Sequence, residues 1–335
     1  MIYDFYASHP ITDESSVKAC ASGANSFQGF AIDTRVSLLA QAIIDDKIKV
    51  LAQNGDQRRN ILGYRQLVHG SKDQGDEVND QHGYGNLILQ RLDQMHRLGI
   101  VIPRIDLGSL PVWSWSIQFR FKLAKPYISQ DDSAFYIIDN PLKKEKVFRV
   151  PFVSPSGWKG SLRASIRLMK GWKDNRPELV QLFGNARQAK NDFKMGRLIF
   201  FPAYFDKIGL EVINPHSRKR GAGSQPIYFE IVPVGSEGVF SLLYIPFDLV
   251  GKDLEKIKDQ AAEDAELTCE GLNAMLTIYG FGAKTSSGFG LAQDDITEVL
   301  IESSKKSLNP MPNKISVLAD RISELFKDDC NDQKS

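Results

Sequence analysis

The sequence predicts an α+β protein whose core elements follow the order strand, helix, strand, strand, helix, strand. Residues 113–123 alternate apolar with polar side chains, which is the pattern of a strand with one covered face. Residues 158–172 and 253–279 carry apolar side chains at helical spacing, and stretches with strand character stand between and after them. This order is the split βαβ pattern of a ferredoxin-like, or RRM-like, βαββαβ fold.

Residues 1–110 precede the first core strand and are rich in Asp, Gln, Asn and Gly. Apolar residues at helical spacing predict one helix over 32–51 and a shorter helix over 86–98. A polar, glycine-bearing stretch at 70–85 predicts a loop between them. We therefore expect 1–110 to form a partly helical N-terminal extension or insertion.

The predicted core occupies residues 111–300. A connection without strong periodicity, 124–156, follows the first strand, and connections of this length are often functional or disordered. Further strands are predicted at 197–204, 226–234, 239–247 and after 290. The strand at 226–234 belongs to a thumb-like insertion at 206–235, and residues 301–335 form a polar C-terminal helix and tail, with the helix at 315–326.

The composition is that of a globular protein, with 42% hydrophobic and 25% charged residues in 335. No apolar run reaches the roughly 18–20 residues that a membrane helix needs, and the N-terminus lacks the pattern of a signal peptide. We therefore expect a cytoplasmic protein with no membrane partner. The three cysteines, Cys20, Cys269 and Cys330, lie far apart, which excludes a disulfide framework and makes a structural zinc site unexpected.

The net charge is only +1, but the charges are unevenly distributed along the chain. Segment 141–173 is strongly basic, with Glu145 as its one acid, whereas segment 251–270 is acidic. Such a chain can present one face to phosphates and another to water or a basic neighbour. Two solvated faces are the simpler alternative.

A glycine-rich run, Gly280-Phe-Gly-Ala-Lys-Thr-Ser-Ser-Gly-Phe-Gly290, predicts a loop that closes the helix before it. Its backbone N–H groups, Lys284 and three hydroxyls can cradle phosphates. The run is not a Walker A motif, because Ala283 stands where that motif has glycine and a helix precedes the loop. An ordinary glycine-rich turn is the alternative.

A second motif, Ser156-Gly-Trp-Lys-Gly-Ser-Leu-Arg163, opens the first core helix. Small residues at a helix start leave N–H groups that favour an anion. Lys159, Arg163, Arg167 and Lys170 recur at helical spacing, so they form one cationic stripe beside the apolar stripe of Trp158. An ordinary surface helix is the alternative.

Together these motifs resemble the RAMP superfamily of CRISPR proteins, in which a Ser-Ser-x-Lys-Gly-x-x-Arg segment opens the first core helix and a glycine-rich loop lies near the C-terminus. Leu182-Phe183-Gly184 and Arg197-Leu198-Ile199-Phe200 also resemble family landmarks, in the family order. The resemblance covers roughly 112–292 and implies a subunit of a type III CRISPR ribonucleoprotein, with crRNA, target RNA and other effector subunits as partners in a hetero-oligomer. The RNA-binding residues it implies are Ser156, Lys159, Arg163, Arg167, Gly282, Lys284, Thr285, Ser286 and Gly288, with Arg218, Lys219 and Arg220 in the thumb.

The segment Ile138-Asp139-Asn140-Pro141 is similar to the Ile-Asp-x-Pro of the Cas-seven-like backbone subunits of type III complexes. The resemblance implies that Asp139 binds Mg²⁺ or Mn²⁺ and cleaves the paired target RNA, with Asp131 and Asp132 near enough in sequence to assist. The alternative is that Asp139 caps a turn before Pro141. The Leu-Lys-Lys-Glu-Lys that follows Pro141 departs from the family pattern.

Three other functions remain open from the sequence. One is a structural RAMP subunit without catalysis, and another is a metal-independent crRNA-processing endoribonuclease that uses a base such as His216. The third is an unrelated α/β enzyme that holds a small phosphorylated ligand in the glycine-rich loop. Base stacking is conceivable on Trp172, Phe281 and Phe289, whereas Trp158 lies on the apolar stripe and is expected in the core.

Overall fold

The computed structural model describes residues 4–69, 83–131, 135–185, 194–213 and 227–327. The helices are α1 Phe5–Ser8, α2 Glu14–Ser22, α3 Ile32–Leu39, α4 Asp46–Asn54, α5 Tyr64–His69, α6 Tyr84–Arg97, α7 Pro155–Lys170, α8 Pro177–Phe183, α9 Leu254–Asn273 and α10 Leu318–Ile322. The strands are β1 Trp115–Leu123, β2 Phe152–Val153, β3 Leu198–Phe200, β4 Ala203–Tyr204, β5 Gly209–Ile213, β6 Ile227–Ile231, β7 Glu237–Tyr244 and β8 Ala292–Ser303. Among these described residues, no helix combines the length and the apolarity that crossing a membrane requires.

The chain divides into two compact units, each built from segments that are distant in sequence. The N-terminal unit consists of Met1–Arg97, Ile128–Pro151 and Phe205–Pro233. The core unit consists of Leu98–Tyr127, Phe152–Tyr204 and Val234–Ser335. This grouping differs from a division at residues 110 and 300, because the connection after β1 and the hairpin of β5 and β6 fold together with the N-terminal helices.

A four-stranded antiparallel sheet with the order β3-β7-β1-β8 forms the centre of the core unit. The central pair runs from Trp115 opposite Tyr244 to Lys122 opposite Glu237, and β8 pairs with the other edge of β1. In sequence, α7 and α8 lie between β1 and β3, and α9 lies between β7 and β8. The predicted mixed class, helices with antiparallel strands, is confirmed.

The covered face of the sheet is aromatic because β1 alternates as the sequence predicts. Trp115, Phe119 and Phe121 are buried. Trp158 of α7 is 0% exposed and packs its ring 5.1 Å from that of Phe240 and 4.6 Å from that of Phe281. Trp158 is therefore a core residue, as its place on the apolar stripe suggests.

Gly271 allows α9 to approach α7 closely. A Cβ atom at this position would lie 2.4 Å from Cγ1 of Ile166 and 3.0 Å from Cδ1 of Leu162, both buried. We expect Gly271→Ala to lower the free energy of unfolding by about 1–3 kcal/mol through overpacking. Gly160→Ala on α7 is the matched control, because its Cβ would meet nothing within 4 Å. The control gains helix propensity of up to ~1 kcal/mol, and equal urea midpoints for the two variants would contradict the packing argument.

Two local differences from the sequence prediction have identifiable causes. The helix predicted over 32–51 is divided, because the Asp45 carboxylate accepts the N–H groups of Lys47 and Ile48 at 2.8 and 3.0 Å and starts α4 anew. Strand β5 was not predicted, and it pairs with β6 as an antiparallel hairpin from Gly209 opposite Ile231.

Candidate nucleic-acid interface

Helix α7 starts where the sequence motif places a helix start. The Ser154 hydroxyl accepts the N–H of Gly157 at 3.2 Å, and Pro155 occupies the first helical position. Ser156 is exposed in this first turn, and its hydroxyl lies 3.1 Å from that of Ser154. The helix ends at Gly171, whose left-handed conformation (φ 65°) closes it.

Acidic neighbours within the core unit occupy much of the cationic stripe of α7. Arg163 donates from Nη2 to the backbone oxygen of Asp174 at 3.0 Å, and Arg167 donates from Nη1 to Oδ2 of Asp174 at 2.9 Å. Lys170 lies 2.7 Å from Glu270 of α9. The stripe is therefore partly neutralised before any ligand binds.

Lys159 differs from the other cations of this stripe. It has no acidic partner among the residues that the structure describes. Partial burial, and then the positive charge of Arg163, lower the pKa of Lys159 from its usual value. A nearby anion would favour the charged ammonium and so oppose both effects, which makes Lys159 the α7 cation best placed to gain from binding a phosphate.

The glycine-rich loop is anchored at its base and exposed at its tip. The ring of Phe281 is 0% exposed and lies 5.3 Å from that of Tyr127. Phe281 donates its N–H to the oxygen of Gly290 at 2.9 Å, and Gly290 donates to Pro126 at 2.7 Å. Phe281 and Gly290 thus form the neck of the loop, where its two ends meet. A Cβ on Gly290 would lie 1.9 Å from the Phe281 oxygen, so position 290 requires glycine.

Beyond this neck, Lys284 and Gly288 have left-handed conformations at either end of the short turn Thr285–Ser287. Gly282, Lys284 and Ser286 are exposed. The tip therefore offers backbone N–H groups and hydroxyls to solvent, and its base is fixed to the core.

A trough of about 520 Å³ separates this loop from α7. The small residues of α7 form one wall, and the end of the preceding helix with the loop forms the other. Its lining comprises Gly160, Ser161, Ala164, Ser165, Leu168, Ile278, Tyr279, Gly280, Gly282, Thr285 and Ser286. The described lining is uncharged and combines hydroxyls and glycines with the exposed aliphatic side chains of Leu168 and Ile278. A strand in this trough would therefore be held through hydrogen bonds and apolar contacts.

The cations of α7 do not line this trough. At about 100° per residue, Arg163 points about 100° and Lys159 about 140° away from Ala164 around the helix axis. The structure thus brings Gly282, Thr285 and Ser286 together with the small residues of α7. It places Lys159, Arg163 and Arg167 on an adjacent face of the same helix.

Asp139 belongs to the N-terminal unit. Its carboxylate is 69% exposed, and Oδ1 lies 3.2 Å from Nζ of Lys49 in α4. Its backbone is held on both sides: Gln53 donates to the Ile137 oxygen at 2.8 Å, and the N–H of Glu230 donates to the Asn140 oxygen at 3.1 Å. The carboxylate therefore lies on a turn that backbone hydrogen bonds hold in place, within the connection 124–156 that was expected to be functional or disordered.

A buried polar network lies directly beneath this turn. Glu230 of β6 is 0% exposed and accepts from Lys144 Nζ at 2.5 Å, from Tyr136 at 2.7 Å and from the Leu142 N–H at 2.8 Å. The hydroxyl of Tyr64 also donates to Glu230. Burial and then the Glu230 charge raise the pKa of Tyr64 and of Tyr136 well above the ordinary value, so both phenols stay protonated donors.

The carboxylates of the described residues do not form a metal site on their own. Within these ranges no group of three His, Cys, Asp or Glu side chains lies close enough to hold an ion. The ion-pair partner that Asp139 has is the Lys49 ammonium. Among the described residues, an ion at Asp139 would therefore lack further protein ligands, and a bound RNA strand is one source that could supply them.

The family model described as the RAMP superfamily matches residues 70–293 of this chain. The chain belongs to the RAMP superfamily. A curated relative, the CRISPR system Cms endoribonuclease Csm3 of Streptococcus thermophilus, is 26% identical over 168 residues, which are 47% of this chain and 75% of that protein. The resemblance to RAMP subunits of type III CRISPR effectors, predicted from the motifs, is confirmed.

Solved structures also align with this chain, at TM-scores below 0.5. A chain of the type III-B Cmr-beta complex bound to cognate target RNA aligns with a TM-score of 0.49 at 14% identity, over 87% of this chain and 99% of that one. A chain of a CRISPR RNA-guided surveillance complex aligns with a TM-score of 0.38 at 15% identity, over 56% of this chain and 68% of that one.

Some residues that were predicted to contact RNA in this RAMP protein are buried, and others lie outside the described residues. Phe281 is buried and is not available for base stacking. The thumb residues Arg218, Lys219 and Arg220 lie outside the described residues, as do His216 and Asp132. Trp172 lies against the guanidinium of Arg176, 5.1 Å from ring centroid to Cζ, and Phe289 is half-buried.

Sequence reasoning missed Lys49 and Glu230. Lys49 is 90 residues from Asp139, and Glu230 is 86 residues from Lys144. Lys144 itself was counted with the basic segment, yet its side chain is 5% exposed and serves as a buried ion-pair partner. No pattern in the sequence links these pairs, because ion pairing between distant segments has no periodicity.

Proposed function

We propose that this RAMP chain binds RNA as a backbone-type subunit of a type III CRISPR ribonucleoprotein. Its core would be ferredoxin-like, which the sheet order β3-β7-β1-β8 with helices after β1 and β7 supports. Its partners would be crRNA, target RNA and other effector subunits. The observation that carries the proposal is the trough between α7 and the glycine-rich loop, in a chain of this superfamily.

The trough would hold the strand without reading its sequence. Exposed N–H groups of the loop and the hydroxyls of Ser161, Thr285 and Ser286 can donate to phosphate oxygens and to 2′-hydroxyls. Nothing in the described lining presents a pattern that distinguishes bases. Base pairing between guide and target would then carry the specificity.

Binding of single-stranded RNA to the purified chain tests this proposal. Ser286 lines the trough and Ser287 does not, yet both are exposed neighbours. We expect Ser286→Glu to weaken binding by about tenfold, because it places a carboxylate against phosphate. Ser287→Glu adds the same charge and should bind nearly as the parent chain does. Equal losses in the two variants would contradict binding in the trough.

The salt dependence of the same binding identifies the cations that take part. Each phosphate neutralised on a single strand contributes about 0.7 to the slope of log affinity against log salt concentration. We expect Lys159→Ala to reduce the slope by about this amount. Lys173→Ala, at an exposed lysine beyond the end of α7, serves as the control, and an unchanged slope for Lys159→Ala would remove Lys159 from the interface.

We further propose that Asp139 takes part in cleavage of the bound target RNA. Its exposure on a pinned turn supports this role, and the curated relative bears the name of an endoribonuclease. Participation of Mg²⁺ or Mn²⁺ remains a prediction from the family resemblance, since the described side chains do not assemble a metal site.

A further inference from the structure

The N-terminal unit contains a cavity of about 610 Å³ whose described lining includes neither Asp139 nor Glu230. Helices α2, α3, α5 and α6 contribute its walls. A cavity of this volume falls in the range of small-molecule sites. Arg35 of α3 is the one charged residue in its described lining.

The guanidinium of Arg35 is held in place with part of its donor capacity unused. Nη1 donates to the backbone oxygen of Ala21, at the C-terminal end of α2, at 2.7 Å. It also packs on Gly23, where a Cβ would lie 3.1 Å from Nη1. Nε is buried and has no hydrogen-bond partner. Such a donor costs free energy unless a ligand or a water accepts from it.

Within the part of the chain that the structure describes, Arg35 also lacks a counter-charge. It forms no ion pair with a carboxylate among the described residues, and burial lowers its pKa from the ordinary value. The nearby Asp33 carboxylate accepts the N–H of Thr34 at 2.9 Å and is absent from the lining. A half-buried cation in a cavity without an acid is an arrangement that an anion would stabilise.

The start of α3 adds a second set of donors on the same wall. Ala31 and Ile32 line the cavity. Ala31 has the extended conformation of an N-cap residue, but no side chain caps the helix. The Asp33 carboxylate already accepts the N–H of Thr34, so the N–H groups of Ile32 and Asp33 are the ones left for a ligand.

We infer that this cavity binds the phosphate group of a nucleotide, with the Arg35 guanidinium and the start of α3 as its donors. The polar side chains Asn86 and Gln90 and the aliphatic Leu62 and Leu67 line the remainder of the cavity, together with Gln66, whose amide already bonds Gly63 and Asn54. They leave a volume and a chemistry that suit a base and a sugar. The same phosphate could belong to a free nucleotide or to an RNA strand.

Ala31→Asp is the variant for which we expect AMP affinity and the stability of the free protein to change in opposite directions. An aspartate at this position can cap α3 and should raise the melting temperature of the free protein. Its carboxylate would occupy the anion position, so affinity for AMP should fall by about tenfold or more. Arg35→Gln should also lose AMP binding, but it removes the bond to Ala21, so its melting temperature is expected to fall as well.

Titration calorimetry on the purified full chain measures these affinities, with inorganic phosphate, AMP and a single-stranded RNA oligomer as probes. Displacement of AMP by the oligomer would assign the phosphate to RNA. AMP binding that the oligomer does not displace would assign it to a free nucleotide. The proposal is overturned if the parent chain binds none of the three probes, or if Ala31→Asp binds AMP as tightly as the parent does. The Ser286→Glu variant should retain AMP binding here, which keeps this test independent of the trough.

Discussion

Replacing Lys144 with methionine is expected to lower the free energy of unfolding by about 3–5 kcal/mol, because it leaves a buried carboxylate without its cation. Glu230 and Lys144 have side-chain exposures of 0% and 5%, and their ion pair measures 2.5 Å. The ammonium also lies 4.9 Å from the centroid of the Tyr136 ring. Methionine would keep most of the volume of the lysine side chain and remove its charge, so the cost arises mainly from electrostatics.

Urea denaturation followed by circular dichroism measures this loss. Lys146→Met is the matched control, since Lys146 is exposed on the same segment. Its free energy of unfolding should stay within about 0.5 kcal/mol of the parent value. The double variant Lys144→Met with Glu230→Gln should recover part of the stability, because no charge is then left buried. A Lys144→Met midpoint equal to that of the control would show that the pair contributes nothing.

Amide hydrogen exchange shows which part of the N-terminal unit is destabilised by Lys144→Met. The Leu142 N–H donates to Glu230 at 2.8 Å, and the Glu230 N–H donates to the Asn140 oxygen. Both amides flank the turn that carries Asp139. In Lys144→Met we expect both to exchange faster, since the opening of this turn would then cost less free energy.

The elements with a local repeat were predictable from the sequence. The alternation of β1 and the apolar stripe of α7 each follow from burial of one face, and both elements form within two or three residues of the predicted bounds. Asp45 is a residue type that commonly caps helices, but the sequence did not show that the helix predicted over 32–51 is divided there. The apolar spacing continues across Asp45. Strand β5 was missed because its sequence, Gly-Leu-Glu-Val-Ile, is short and pairs only with the distant β6.

Of the predicted RNA-binding residues, Gly282, Thr285 and Ser286 line the trough and the cations of α7 do not. The sequence singled out the glycine-rich loop and the start of α7, and the structure places both around one trough. The sequence also showed a basic segment and an acidic segment. It did not show that Lys170 of α7 and Glu270 of α9 form an ion pair. Charges along a sequence indicate what can be attracted. Only the fold shows which charges are already neutralised.

Asp139→Asn is expected to reduce cleavage of paired target RNA by about 10²-fold to 10⁴-fold, the range for loss of a group that assists proton transfer. The asparagine keeps the size of the side chain and its exposed position, but it cannot take a proton from a 2′-hydroxyl. Because the turn is pinned by Gln53 and Glu230, the fold should not change. The affinity for target RNA should therefore remain that of the parent chain.

Asp93→Asn is the matched control for this variant, since Asp93 is also an exposed aspartate of the N-terminal unit, paired with Arg97 at 2.6 Å. Cleavage rates measured with the assembled ribonucleoprotein should separate the two variants. Equal rates for Asp139→Asn and the parent would leave RNA binding as the function of this chain and remove catalysis from it. A parent rate that survives EDTA would retain Asp139 as the reacting group and remove the ion. Because the described protein ligands do not assemble a site for Mg²⁺ or Mn²⁺, a rate that EDTA abolishes would mean that groups outside the described residues, such as phosphates of the bound RNA, complete the coordination.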